Sequence, residues 1–414
     1  MSAEALSSKV PKLLVVEPKL IRNRGHHHTQ ITALKTLFPD YRLHLIAGEG
    51  YDGFAGKATA TLSTAAIEKA KLHWHFRHGK LRRKAVAFLR AVFDGGIASY
   101  PSSPFGDTIL EVCEQLQFDA YDKVIIPSTN LDALESVADL VSKLGEKAPQ
   151  ICMRLLDPTL GDPKERRRLQ RMNVLQEVIQ RSAKVRLFSE TGELANYMEQ
   201  RFGLSVTRGF YLTCSINPLE PTRKAAGQYD TFRVGLLGAP RPGKGYERAA
   251  AIVKELSSML DGASLGLQVE VLLQGSDDDY AEDGVYAFAK SFPSTADKLC
   301  VTCISNRLDP EDFEELFLST DLILLPYDIG VYGLQGSGLV QDAVAAEKII
   351  VHSKGISMQD FLSHGNANAV VSNREFAEAI LEAATNLSRY TSGCVTAKKY
   401  FSKLLIEHPL LYSP

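Results

Sequence analysis

The chain has 414 residues, 45% of them hydrophobic and 23% charged, which suits a soluble globular protein and is long for one domain. A formal net charge of −2 argues against a dedicated nucleic-acid binder, whose footprint would be strongly basic. No apolar run approaches the roughly 20 residues needed to cross a bilayer. The opening Met1-Ser-Ala-Glu-Ala-Leu-Ser-Ser has no apolar core and does not read as a secretory signal, so the cytoplasm is the expected compartment.

Strand and helix signals alternate along the chain, which implies parallel sheets. In the first half, strands are expected at 12–16, 42–47, 123–127, 150–155 and 184–188. Helices fall between them, among them 128–144 and 163–180. A proline-, glycine- and polar-rich stretch beginning at Asn217-Pro-Leu-Glu-Pro reads as a linker. The second half alternates again, with strands at 233–237, 269–274, 299–304, 322–325, 349–352 and 369–371. No repeat of solenoid period and no low-complexity tract is present. The expected fold class is α/β: two Rossmann-like, doubly wound domains facing across a cleft, with ligands at the strand C-termini.

Several features of the first half invite a functional reading. Arg24-Gly25-His26-His27-His28 follows the first strand, and a glycine there lets the backbone approach a ligand. Adjacent histidines in a turn point in divergent directions, which argues against a metal site. Asn130 and Arg154 also follow strands; each could line the cleft, and each could equally be a helix cap or a surface charge. Residues 71–93 combine clustered cations with Trp74 and Phe76. The first reading of that stretch is an amphipathic helix with Leu81, Val86, Phe88, Leu89 and Val92 in a core. The second is peripheral contact with an anionic membrane face or a lipid-linked acceptor. Lys164-Glu-Arg-Arg-Arg reads as an exposed helical face. Six scattered cysteines read as buried thiols, and strand alternation turns Cys300 and Cys303 of the one CxxC to opposite faces.

Two elements of the second half carry the chemistry. Asp321-Leu-Ile-Leu-Leu-Pro-Tyr-Asp is a buried strand that opens into a glycine-bearing turn and then a helix near Ser337 and Gly338. Free N–H groups and the positive dipole end of that helix favour an anion. Upstream, the strand ending at Gly238 is followed by Ala-Pro-Arg241-Pro-Gly-Lys244-Gly245 and a helix. Glycines and two cations at a helix mouth suit a phosphate. The string nearly satisfies the Walker A pattern but ends in Gly245, not the Ser or Thr that would hold magnesium. Two prolines also remove donors that a phosphate cradle needs.

The order Gly-x-x-Arg-x-x-Lys-Gly, Leu-Leu-Pro-Tyr-Asp and Ser-Gly-Leu-Val-x-Asp-Ala resembles the donor-binding domain of family-4-like retaining glycosyltransferases (glycosyl transferases group 1). The resemblance covers about residues 230–390, and more loosely Gly25-His-His-His and Leu187-Phe-Ser-Glu-Thr-Gly-Glu-Leu. It implies the GT-B fold: an acceptor-binding domain at 1–215, a nucleotide-sugar donor-binding domain at 216–390, and a helix in 391–414 returning toward the first domain. It implies that Arg241 and Lys244 are the catalytic cations on the donor diphosphate. Gly238, Gly245, Tyr327, Tyr332, Gln335, Ser337, Gly338 and Leu339 would line the donor site, and Asp342 would accept from the ribose hydroxyls. Gly25, His26, Asn130 and Arg154 are the acceptor-side candidates. One departure stands out: the family's usual Glu-x7-Glu pair has Leu334 at its first position, where Gln335 or Tyr332 would take the contact to the transferred sugar.

The expected activity is that of a retaining hexosyltransferase. It moves a sugar from a nucleoside-diphosphate sugar, its co-substrate, to a hydroxyl of a glycan or lipid-linked acceptor in polysaccharide or glycoconjugate synthesis. No metal and no other cofactor is expected, because the cations and the helix end neutralise the leaving group. Two alternatives stay open: a non-catalytic nucleotide-sugar-binding module, motivated by Leu334, and a P-loop-like nucleoside triphosphatase.

Overall fold

The structure is a computed structural model that describes residues 10–22, 26–63, 104–222, 231–262, 266–292 and 298–411. Gly25 and the basic stretch 71–93 lie outside these residues, as does 223–227 of the expected linker. The chain divides into two compact units. One comprises Met1–Glu190, Leu194–Phe210 and Pro409–Pro414; the other comprises Thr191–Glu193 and Tyr211–His408.

The first unit holds a parallel sheet in the order β3-β2-β1-β4-β5-β6-β7. Its strands are β1 (Lys12–Glu17), β2 (Arg42–Gly48), β3 (Ala60–Leu62), β4 (Lys123–Thr129), β5 (Gln150–Leu155), β6 (Val185–Ser189) and β7 (Val206–Arg208). Among the described residues its helices are α1 (His26–Leu37), α2 (Pro104–Gln115), α3 (Leu131–Leu144), α4 (Glu165–Arg181) and α5 (Gly192–Phe202). The inner strands are buried on both faces, so Leu13-Leu-Val-Val16 reads as a continuous apolar run without alternation. β3 and β7, the edge strands, have only three residues each and too little periodicity to be expected.

The second unit has strands β8 (Thr231–Leu236), β9 (Gln268–Gly275), β10 (Leu299–Ser305), β11 (Leu322–Leu325), β12 (Ile349–Ser353) and β13 (Ala367–Val370). They form a parallel sheet in the order β10-β9-β8-β11-β12-β13. Its described helices are α6 (Ala249–Gly262), α7 (Pro310–Leu318), α8 (Ile329–Tyr332), α9 (Gly338–Ala345), α10 (Gln359–Leu362), α11 (Asn373–Thr385) and α12 (Leu387–Ile406). Alternation along β11 divides the core. Leu322 and Leu324 join Phe232, Val234 and Ile380 on one face. Ile323 and Leu325 join Val340, Ala343 and Phe401 on the other. The sheet is therefore covered on both faces, as a doubly wound fold requires. Strand order reverses between the neighbours β8 and β11. That reversal is the switch point at which open α/β sheets bind ligands.

Three local expectations need correction. The run 164–168 is not uniformly exposed: Arg168 is buried and donates to the Asp162 carbonyl at 2.5 Å, and Arg167 pairs with the Asp162 carboxylate. Nearby, Arg171 is buried between Asp132 and Glu135. Asp277-Asp-Asp279, which by its sequence reads as the N-cap of a following helix, does not cap one. It enters a turn in which Asp279 accepts from the Ser276 N–H at 2.7 Å and hydroxyl at 2.6 Å. Of the six free thiols, Cys113, Cys152, Cys300 and Cys394 are buried, but Cys303 is exposed and Cys214 half-buried. Cys300 and Cys303 thus differ in burial as strand alternation requires.

Candidate functional site

The loops that leave β8 and β11 meet at the switch point of the second sheet. The β8 loop turns at Gly238, whose φ of +84° favours glycine. Its N–H donates to Gln274 Oε1 at 2.7 Å, and Gln274 Nε2 donates to the Ser305 carbonyl at 3.2 Å. One buried amide at the end of β9 thus ties together the exits of β8, β9 and β10. The Tyr246 hydroxyl lies 2.7 Å from the Leu237 carbonyl and 2.5 Å from that of Gly238, closing the loop on itself.

The loop is joined to β11 by backbone. Asp328 N–H donates to the Gly243 carbonyl at 2.8 Å. Gly245 has φ +68°, and a Cβ there would stand 1.8 Å from the Pro326 oxygen. Gly245 is therefore required for close approach. It is not a vacated hydroxyl position of a magnesium site, which removes the support for the triphosphatase reading.

Lys244 is the central cation. It is 8% exposed, and among the described residues no carboxylate pairs with it. Burial, and then the charge of Arg241, lower its pKa to about 8. A Cβ on Gly238 would lie 2.7 Å from Lys244 Nζ and 3.5 Å from Leu339 Cδ1, so glycine at 238 leaves room for the ammonium beside the first turn of α9. Arg241 is exposed and donates through Nη2 to the Tyr332 hydroxyl at 3.3 Å. Among the described residues, two cations thus adjoin without a counter-charge, an arrangement that an anion would relieve.

The exit of β11 supplies the other wall. Tyr327 and Tyr332 are buried and stacked, with ring centroids 4.1 Å apart. The Tyr327 and Ser337 hydroxyls are 3.1 Å apart. Ser337 occupies the N-cap of α9 yet makes no side-chain cap bond. Among the described residues, the N–H groups of Gly338 and Leu339 have no hydrogen-bond acceptor. Open donors at a helix start attract anions. Gln335 is half-buried, and its carbonyl accepts from Ser357 Oγ at 2.6 Å. The Leu334 carbonyl accepts from Thr191 Oγ1 at 2.7 Å.

Asp342 departs from expectation. It is 3% exposed, and its Oδ1 accepts from the Ile216 N–H at 2.9 Å. Ser215 adds backbone and hydroxyl donors to the same carboxylate. The group expected to face a ribose is turned to residues 215–216. Burial raises its pKa to about 7 despite these donors.

In the first unit only Asn130 and Arg154 of the four candidates have described side chains, and both have local partners. Asn130 is the N-cap of α3, its side chain accepting from Ala133 N–H at 2.9 Å. Arg154 is 2% exposed, donates to the Pro127 carbonyl at 2.7 Å and pairs with Glu190 at 2.8 Å. It is thus not a surface charge. His26 opens α1, but its side chain lies outside the described residues, as does all of Gly25. Gln274, Ser215 and Ile216 were not anticipated. Only Gln274 carried a signal, as a polar residue ending the apolar run Val-Glu-Val-Leu-Leu-Gln.

No protein-family model and no curated protein matches the chain. Solved structures do. An E. coli structure described as trehalose-6-phosphate bound with UDP-2-fluoro glucose is 14% identical, with 97% of each chain covered and a TM-score of 0.58. A TarM variant from S. aureus, in complex with fondaparinux, alpha-GlcNAc-glycerol and UDP, is 9% identical. It covers 96% of this chain and 98% of its own, with a TM-score of 0.59. Anabaena Alr3699/HepE in complex with UDP and glucose is 12% identical over 95% of this chain and 96% of its own, with a TM-score of 0.58. Near-complete coverage of both chains, together with two parallel α/β units of seven and six strands, establishes that this chain has the GT-B fold of these glycosyltransferase structures.

Proposed function

We propose that the chain is a retaining glycosyltransferase that moves a sugar from a nucleoside-diphosphate sugar to an acceptor hydroxyl. The observation that carries this reading is Lys244: a buried ammonium that pairs with no carboxylate among the described residues, next to Arg241 and the open N–H groups of Gly338 and Leu339, at a sheet's switch point. UDP or a UDP-sugar in the neighbouring structures supports uridine as the base.

As the bond between the anomeric carbon and the diphosphate breaks, negative charge grows on the leaving oxygen. Lys244 and Arg241 stabilise that charge more in the transition state than in the ground state, which is what accelerates transfer. Tyr332 holds the Arg241 guanidinium. In the retaining reading, the acceptor hydroxyl attacks the face from which the diphosphate departs. Its proton passes to the leaving phosphate, so no glycosidase-like carboxylate pair is called on. The acceptor is a hydroxyl of a glycan or lipid-linked glycoconjugate, and the divalent ion's role falls to the two side-chain cations.

The test is turnover with a panel of UDP-sugars and glycan acceptors, following UDP release and the anomeric configuration of the product by NMR. Product with the donor's configuration supports the proposal. Inverted product removes the retaining assignment. Absence of UDP release across the panel, with donor binding intact, favours the binding-module reading.

A further inference from the structure

We propose that Asp342 is a positioning residue, whose carboxylate fastens segment 211–217 along α9 and so holds the open first turn of that helix against Lys244. The inference rests on the donor-site reading above and adds to it a device that sets the site's geometry.

The segment has few alternatives for its backbone. Residues 211–217 belong to no strand or helix, yet Tyr211, Leu212 and Ile216 are buried. Buried N–H groups must find acceptors. That of Ile216 finds the Asp342 carboxylate at 2.9 Å, and Ser215, an exposed residue, donates to the same group. The upstream end is anchored separately: the Tyr211 ring packs on Phe361 at 4.7 Å, and its carbonyl is 2.8 Å from His408 Nε2.

The same segment touches α9 a second time. A Cβ on Gly338 would lie 3.1 Å from Cys214 Sγ. Residues 338 and 342 are four apart and share one helix face. The segment therefore runs along that face, meeting the first residue at Cys214 and the fifth at Ser215 and Ile216. Gly338 also carries one of the two open N–H groups. Fixing the segment to Asp342 thus fixes what lies beside the anion-facing turn. A carboxylate suits the role because it accepts several N–H and O–H bonds and donates none. Asparagine would present an NH2 group to these donors and leave at least one of them without an acceptor.

The discriminating experiment is calorimetric titration of inorganic pyrophosphate, UDP and 2′-deoxy-UDP into wild type, Asp342→Asn and Ser215→Ala. Pyrophosphate has no ribose. In the positioning account, Asp342→Asn weakens pyrophosphate and UDP by a similar factor of about tenfold, corresponding to the loss of one hydrogen bond that holds the segment. The ratio of UDP to 2′-deoxy-UDP affinity stays at its wild-type value, and Ser215→Ala gives a milder version of the same pattern. Unchanged pyrophosphate affinity with a collapsed UDP to 2′-deoxy-UDP ratio makes Asp342 a ribose ligand and overturns the proposal. Hydrogen exchange of the Ile216 amide, compared between wild type and Asp342→Asn, is the ligand-free readout. Faster exchange in the variant is expected, and unchanged exchange overturns the fastening itself. Wild type that binds none of the three ligands removes the nucleotide-sugar reading and the positioning role with it, while accelerated Ile216 exchange would still mark the contact as structural.

Discussion

The backbone of Gly245 lies so close to Pro326 that a Cβ at 245 would stand 1.8 Å from the Pro326 carbonyl oxygen. The exits of β8 and β11 can come together only because residue 245 lacks a side chain. Gly245 also has φ +68°, where an L residue is strained. Neither partner atom is flexible, so Gly245→Ala must move one loop. The expected cost is about 3 kcal/mol or more, within the class of large effects from a special backbone position. Urea denaturation measures it; a loss below about 0.5 kcal/mol, the range of a neutral surface change, would mean that the loops separate easily.

Arg241 and Lys244 make the second prediction. Each single alanine variant is expected to slow transfer by about 10²–10³, the usual effect of removing one charge-stabilising donor. The fold should survive, because neither cation has an ion-pair partner to strand among the described residues. Steady-state kinetics on variants with wild-type melting temperatures decides it. Wild-type turnover in both would detach the loop from the chemistry.

Lys244 also predicts a pH dependence. Burial lowers its pKa from 10.5 to about 8. Between these values the unfolded chain binds the proton and the folded one does not, so this group makes stability rise with pH from about 8 to 10.5. The contribution is on the order of 3 kcal/mol. Lys244→Met should therefore be more stable than wild type near pH 7, with the difference shrinking as pH rises toward 10. A bound diphosphate restores the charge, so UDP binding at pH 8 should take up protons. Calorimetry in buffers of different ionisation enthalpy reads that uptake, which should vanish in Lys244→Met.

A fourth prediction concerns metals. With two side-chain cations on the leaving group, transfer should persist in excess chelator. Loss of activity that magnesium or manganese restores would show that Arg241 and Lys244 do not suffice.

The inner strands and the two site loops were legible in the sequence because both faces of each sheet are covered, so apolar runs such as Leu322-Ile-Leu-Leu325 stand out. Arg241 and Lys244 stand out only when their loop is paired with the strand exit and helix start at 326–342. Asp342 does not: its partner Ile216 is 126 residues away, and no local pattern distinguishes a carboxylate that meets a ligand from one that meets backbone. The burial of Arg154 was not legible for the same reason, since its partner Glu190 is 36 residues distant. Arg168 shows the converse, a cation inside a charged run that is nevertheless buried because the Asp162 carbonyl lies within reach.

The central claim is that Lys244 and Arg241 hold a nucleoside diphosphate at the start of α9. It is tested most directly by the thermal unfolding of wild type and of Arg241→Ala/Lys244→Ala with and without saturating UDP. A ligand at 100 times its dissociation constant adds about 2.7 kcal/mol to the folded state. The account predicts that UDP raises the wild-type melting temperature by several degrees and leaves that of the double variant near its ligand-free value. An equal rise in both proteins, or none in wild type, would contradict it.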